Sequence, residues 1–173
     1  GPQLAALRQQ GLQLQESDGR VASVKGLKTT ARLTAADSFD VIFLAVKAHE
    51  VCSLVDQLAP VLGEDSTLVT LQNGIPWWYF QRHGGPFEGT VLESSDPGGK
   101  LGAAIDAGRI VGCVAYPAAE VVGAGVVRHI EGNRFAIGEL DGSDSARAGR
   151  ISRLLQAADL KCPVLENIRA EIW

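Results

Sequence analysis

The 173-residue sequence has no methionine, only three cysteines and only three histidines. Cys52, Cys113 and Cys162 are odd in number and widely separated, which suits neither a disulfide framework nor a metal knuckle. Each sits in or beside an apolar run, so core packing is the expected place for all three. His49, His83 and His129 share no close spacing with one another or with the cysteines, and no metal site is expected. No apolar run approaches the roughly 18 residues of a membrane span, and no signal peptide opens the chain. The net charge of −4 is mild and has no basic stripe, so nucleic acid is not an expected partner. The Gly-x-Ser-x-Gly elbow, the Walker loop and the His-Glu-x-x-His run are all missing, which leaves hydrolase and kinase readings without support. Gly-x-Gly-x-x-Gly is missing too, which on its face counts against a dinucleotide enzyme. The absent methionine and the opening Gly1-Pro2 have two readings: a protease scar, or a piece of a longer protein that begins in a loop before a helix.

What is present describes one well-buried globular domain, with 46% apolar residues and 21% charged ones. A soluble cytoplasmic protein is the default. The organising stretch is Leu68-Val69-Thr70-Leu71-Gln72-Asn73-Gly74-Ile75-Pro76, an apolar β-run that breaks at Asn-Gly and re-enters structure at a proline. One αβ unit earlier, Asp40-Val41-Ile42-Phe43-Leu44-Ala45-Val46 reads as a buried strand and Lys47 follows at once. A strand, a helix over residues 50–62 with Val51, Leu54, Val55 and Leu58 on one face, and a second strand make a βαβ unit. Both strands are apolar throughout, so both are expected to be covered on two faces. Lys47 and Asn73 then stand at one sheet edge, where ligands of open α/β folds bind.

Around this kernel, residues 2–10 read as a short helix, and residues 12–15 and 20–24 as a hairpin, followed by an extended run near 29–33. Residues 76–82, with Trp77, Trp78 and Tyr79, are expected to continue as a helix. The Gly- and Pro-rich segment 84–108 is either functional or an insertion, with a short helix near 100–105. Residues 110–116 form a third buried strand, and a turn is marked by the glycines of 122–125. Residues 126–130 and 134–137 are read as a second hairpin. Asp144 or Ser143 caps a helix whose core face is Ile151, Leu154, Leu155 and Ala158; residues 162–165 are a last strand and 167–173 begin a new helix.

Each candidate residue has a plain reading beside the functional one. Lys47 is either a solvated charge at a helix start or a point charge that holds a phosphate or carboxylate. Asn73 is either a turn residue or a carboxamide that donates to and accepts from a ligand at once. His49 reads as a helix-start residue more readily than a proton donor, and His129 as a surface pair with Arg128.

Four segments together carry a resemblance: Val46-Lys47-Ala48, Leu71-Gln72-Asn73-Gly74-Ile75, Gly112-Cys113-Val114-Ala115-Tyr116-Pro117-Ala118 and Asn167-Ile168-Arg169-Ala170-Glu171-Ile172-Trp173. In order and spacing they resemble the ketopantoate reductase (2-dehydropantoate 2-reductase) family over essentially the whole chain. The resemblance implies an α/β fold with a Rossmann-like, mostly parallel sheet flanked by helices and incomplete here, plus the first turns of an all-helical C-terminal domain. It divides the chain into an NADP-binding domain over 1–166, missing its first βαβ segment, and the start of a helical substrate and dimerisation domain at 167–173. It implies an NADP-dependent oxidoreductase that uses NADPH to reduce the ketone of ketopantoate to pantoate, on the route to pantothenate and coenzyme A.

By the same resemblance, Lys47 and Asn73 are catalytic and lie between cofactor and substrate, contacting both, while Ala118 touches the cofactor through its backbone. No metal is implied; the expected partner is a small 2-oxo acid, without nucleic acid or membrane, and a homodimer is compatible. The family's glycine-rich loop and 2′-phosphate arginine would precede residue 1, and its proton-donating lysine would fall two residues after the tryptophan matching Trp173. The chain alone is therefore expected neither to turn over nor to bind NADPH tightly, and to leave an apolar sheet edge for a partner or segment 84–108 to cover. The alternatives are a family member acting on another ketone or 2-oxo acid, and a non-catalytic nucleotide-binding or interaction module.

Overall fold

The computed structural model describes residues 1–34 and 37–173. In chain order its elements are α1 (Pro2–Gln9), β1 (Leu12–Gln15), β2 (Val21–Val24), β3 (Val41–Leu44), α2 (Val51–Leu58), β4 (Thr67–Thr70), α3 (Lys100–Ala104), β5 (Ile110–Ala115), β6 (Ala118–Gly123), β7 (Val126–Glu131), β8 (Phe135–Glu139) and α4 (Ala146–Gln156), with short 3-10 turns between and after them. The chain divides into two compact units, Gly1–Leu33 with Tyr116–Asn133, and Thr34–Ala115 with Arg134–Trp173.

The first unit is a four-stranded sheet in the order β2-β1-β7-β6. β1 and β2 form the expected hairpin, and β1 runs parallel to β7. Gly11 makes the entry into β1 possible: its φ is +83°, and a Cβ there would stand 2.0 Å from the carbonyl oxygen of Val24. Residues 29–33 are not a strand. The segment is held by side chains instead: the Arg8 guanidinium donates to Thr29 Oγ1 (3.2 Å), and Thr30 Oγ1 donates to the carbonyl of Arg32 (2.6 Å).

The second hairpin differs from the sequence reading. β7 pairs with β6, not with residues 134–137, which belong to β8 in the other unit. β5 ends at Ala115, and Pro117 precedes the first residue of β6. Nor is His129 a surface partner of Arg128, which pairs with Glu120 instead at 2.9 Å. One ring nitrogen of His129 faces Glu16 Oε2 (2.9 Å) and the other the carbonyl of Gly132 (2.6 Å).

Both of these partners are acceptors, so the ring meets both only as an imidazolium. The Gly132 carbonyl first and Glu16 second raise its pKa above the ordinary 6.5. A raised folded pKa means that the stabilisation is complete below the unfolded value and is lost as pH rises through the folded one. Proton NMR of the His129 ring should give a midpoint above 6.5, which Glu16→Gln should lower. Amide exchange in β1 and β7 should quicken from pH 5 to pH 9 beyond its intrinsic pH dependence, and a His129→Gln variant should lose that excess.

The second unit holds the sheet β3-β4-β5-β8, with β3, β4 and β5 parallel and β8 antiparallel to β5. Central β4 is buried at all four positions, its flanking Thr67 and Thr70 included, whereas β3 is an edge strand and only half-buried over Val41, Ile42 and Phe43. The core gathers Val69, Val111, Cys113, Ile137, Ile151 and Cys162. Burial pushes the Cys113 thiol up to about 12, so it is an apolar filler and not a nucleophile.

α2 buries Val51, Val55 and Leu58, and α3 packs beside it. Segment 84–108 is thus held on α2, where the Cys52 thiol also reaches the carbonyl of Ser95 (3.7 Å). The carboxylate of Asp96, itself only 2% exposed, accepts from the N–H groups of Leu101 and Gly102 at the head of α3. α4 is capped by Ser145, whose Oγ accepts from the N–H of Ala148 (3.1 Å), in place of Ser143 or Asp144. Its buried face is Ala148, Ile151 and Ser152, while Leu154 points outward.

Residues 162–165 do not complete a regular strand. They run beside β8 through isolated parallel bridges, since Pro163 has no N–H to give. Residues 76–82 are not a helix but consecutive i→i+3 turns, Tyr79 N to Pro76 O and Gln81 N to Trp78 O, ending at Arg82 with φ +57°. The bulk of Trp77 and Trp78 drives both rings inward, to 3% and 1% exposure. The start of a helix expected over residues 167–173 is a short 3-10 turn, Ala170–Ile172.

Candidate functional site at the carboxyl ends of the parallel strands

β3 and β4 run side by side with Leu44 opposite Thr70, and β4 and β5 with Thr70 opposite Gly112. The last rung is the N–H of Leu71 on the carbonyl of Leu44 (3.0 Å). Lys47 lies three residues past Leu44, and Asn73 three past Thr70, so both stand at equal distance along the chain beyond one rung of the ladder. Both positions therefore follow the carboxyl ends of adjacent parallel strands.

Two consecutive amides from the tip of β4 reach in opposite directions. Gln72 is 8% exposed, and its Nε2 donates to the carbonyls of Leu44 (2.6 Å) and Val46 (3.1 Å), stapling β4 to β3 beyond their ladder. Asn73 donates through Nδ2 to the carbonyl of Ala115 (2.9 Å) and accepts through Oδ1 from its N–H (3.2 Å), stapling β4 to β5. Asn73 is therefore half-used: one N–H and one lone pair remain for a ligand. Gln72 was missed in the sequence, and the signal available was its place beside Asn73 in a strand tip. Both of its N–H groups are taken, and its Oε1 is buried without a partner among the described residues.

Lys47 is exposed and extended (φ −64°, ψ 146°) at the head of a 3-10 turn over Ala48–Glu50. Its N–H donates to Glu50 Oε2 (3.2 Å) and its carbonyl accepts from the N–H of Glu50 (2.9 Å). Among the described residues no carboxylate lies within ion-pair distance of its ammonium, which stays available to an anion. His49 is exposed within the same turn.

Below this edge, the indole of Trp78 donates to Thr70 Oγ1 (3.0 Å) and lies against Gly112, where a Cβ would stand 2.7 Å from the ring. Only a glycine there lets Trp78 seat the turn that follows Asn73. Ala118 is carried by the other unit, as the half-buried first residue of β6 opposite Glu131.

Two cavities lie away from Lys47 and Asn73. One of about 490 Å³ is bounded by Tyr79, Arg82, His83, Asp141, Arg169 and Trp173, and one of about 990 Å³ opens at the amino ends of the strands, near Asp40, Thr67 and Arg109. In the latter, Arg147 is already paired to Glu139. The carboxyl edge instead carries an exposed ammonium without a carboxylate partner among the described residues and a carboxamide with half its hydrogen-bonding positions unspent. Among the described residues no group of three His, Cys, Asp or Glu side chains could hold a metal, and no helix is long and apolar enough to cross a membrane.

Residues 1–77 match the family model described as Ketopantoate reductase PanE/ApbA. The 2-dehydropantoate 2-reductase of Mesorhizobium japonicum is 43% identical over 173 residues, which is 100% of this chain and 52% of that protein. A crystal structure from Ralstonia solanacearum MolK2, described as a ketopantoate reductase, is 34% identical with a TM-score of 0.92, over 100% of this chain and 53% of that one. D-mandelate dehydrogenase, solved with NADH and anilino(oxo)acetate, shares the fold at a TM-score of 0.76 and 17% identity, over 99% of this chain and 48% of that one. The chain spans about half the length of the relatives it matches.

Proposed function

Since the chain belongs to the ketopantoate reductase family, we propose that its Rossmann-like fold serves an NADPH-dependent oxidoreductase that reduces the ketone of 2-dehydropantoate to the alcohol of pantoate. The observation that carries this reading is the placement of Lys47 and Asn73 together beyond the Leu44–Thr70 rung, at the carboxyl edge of parallel strands. Lys47 brings an unpaired positive charge, which suits the carboxylate of a 2-oxo acid and the oxygen that gains charge as the ketone is reduced. Asn73 offers one donor and one acceptor, the complement of a primary carboxamide such as that of nicotinamide. Gln72 and Asn73 fix this edge by their staples, so the groups are ordered before a ligand arrives.

Bound NADPH would supply the hydride to the carbonyl carbon. Lys47 and Asn73 would hold and orient the reactants, and the carbonyl oxygen would take its proton from a general acid. On this reading the protein is a cytoplasmic enzyme of small-molecule metabolism.

The test follows NADPH absorbance on mixing the full-length protein with 2-dehydropantoate. Lys47→Ala should lower kcat/KM by about 10²–10³-fold, the range for removing one pre-placed electrostatic donor. An unchanged kcat/KM would remove Lys47 from the site. Equal turnover with NADH would overturn the NADPH preference, and turnover only of another 2-oxo acid would move the protein to a different substrate within the family.

A further inference from the structure

Lys47 sits one residue past a carbonyl that no strand neighbour claims. β3 leaves its ladder at Leu44, whose carbonyl takes the last rung from the N–H of Leu71, and residues 45–47 make no backbone hydrogen bond to β4 among the described residues. What fixes it is side chains. The peptide group between Val46 and Lys47 is gripped at both ends: Gln72 Nε2 donates to its carbonyl oxygen (3.1 Å), and its N–H donates to Glu50 Oε2 (3.2 Å). A peptide is planar, so holding its oxygen and its hydrogen fixes the plane and the Lys47 Cα within it; the N–H of Glu50 on the Lys47 carbonyl (2.9 Å) holds the next peptide, and the two planes together set the direction in which the Cα–Cβ bond of Lys47 leaves the backbone.

We propose that Gln72 is the positioning residue for Lys47, aiming the ammonium through the Val46–Lys47 peptide, with Glu50 as the second hand of the same grip. This deepens the proposed function and rests on the role given there to Lys47. Gln72 suits the task better than an exposed residue would. It is 8% exposed, both of its N–H groups are spent on carbonyls of the one segment, and the Leu44 bond of 2.6 Å anchors it at the ladder's end. A long flexible lysine on an open turn would otherwise lose much of its electrostatic effect to averaging over rotamers, and misplacement by about 1 Å can cost on the order of 10²-fold in rate.

The experiment is a double-mutant cycle on the full-length protein, read as kcat/KM for 2-dehydropantoate with NADPH. Gln72→Met keeps the length of the side chain and removes both donors. It should lower kcat/KM by about 10- to 100-fold. In a Lys47→Ala background, where nothing is left to aim, the same change should have almost no effect. Independent factors that multiply in the double mutant would overturn the proposal and make Gln72 a purely structural staple.

Should Gln72→Met fail to fold at the assay temperature, Gln72→Asn, which keeps the amide but is one methylene too short, runs the same cycle. A Lys47→Ala variant as active as the parent would sink the role of Lys47 itself, and this proposal with it. That result is distinct from a multiplicative cycle, in which Lys47 matters and Gln72 does not act through it.

Discussion

Replacing Glu139 by alanine is expected to cost about 3–5 kcal/mol, the range for breaking a buried ion pair by removing one partner. Glu139 closes β8 and is 4% exposed. Arg147 meets it in a fork, through Nε on Oε1 (2.7 Å) and through Nη2 on Oε2, and its Nη1 donates to the carbonyl of Gly108 (2.7 Å). Ser145, the cap of α4, also donates to Glu139 Oε1. One carboxylate thus ties the first turn of α4 to the end of β8 and, through Arg147, to the start of β5.

Without it the half-buried guanidinium of Arg147 loses its carboxylate and keeps only backbone carbonyls of Gly108 and Ile110, and Ser145 loses the acceptor that orients its cap. The urea midpoint should fall well below that of the parent, with the thermal midpoint lower by about 10 °C or more. Glu139→Gln should lie between the two, since it keeps the shape and loses the charge. Glu139→Leu with Arg147→Met should recover much of the loss, because two apolar groups leave no stranded charge. A single alanine variant that lost under about 1 kcal/mol would show the pair to be solvated.

The elements that were legible in the sequence are those whose cause is local. β4 and β5 are central and covered on both faces, so their residues show no period-two alternation of apolar and polar, and α2 shows its buried stripe at helical spacing. The β6–β7 hairpin was not legible, because alternation says that a segment is extended without naming its partner. Between β7 and β8 the chain leaves one sheet for the other, so two neighbouring strands in sequence share no ladder. The cap of α4 was misplaced within the run Ser143-Asp144-Ser145, where all three residues are good caps and only the Ala148 bond chooses.

At the site, Lys47 and Asn73 were legible because a strand tip is a place that sequence can mark: an apolar run ends and a polar residue follows. Their neighbour Gln72 was not, since a glutamine in a strand tip says nothing about which carbonyls it will reach 26 and 28 residues away. The structure also changes what Asn73 is for. The turn reading and the ligand reading are both incomplete, because two of its four hydrogen-bonding positions are spent on the backbone of Ala115, which links the third parallel strand to the same edge.

The turn over residues 76–82 was mistaken for a helix for a reason that leads to the second large effect. Arg169 donates through Nε to the carbonyl of Tyr79 (2.6 Å), through Nη2 to that of Gln81 (2.5 Å) and through Nη1 to that of Leu140. A guanidinium about 90 residues distant thus takes the carbonyls of Tyr79 and Gln81, and no local pattern announces it. The group sits 6.0 Å from the centre of the Trp78 ring, and burial pushes its pKa down, although an arginine remains charged at any ordinary pH.

Arg169→Ala strands three carbonyls at once. Each buried group left unmet costs about 1–3 kcal/mol, and with partial rehydration the total should be about 4 kcal/mol. Arg169→Lys should rescue less than half of that, since an ammonium cannot span three carbonyls fixed around a planar fork. Trp78 gives the local readout. Once the turn loosens, its ring should lose the Thr70 bond and its buried place, and tryptophan fluorescence should shift to the red in native buffer before global unfolding. If Arg169→Ala kept both the parental urea midpoint and the parental emission maximum, the turn that follows Asn73 would be held by its own aromatic packing and not by the guanidinium.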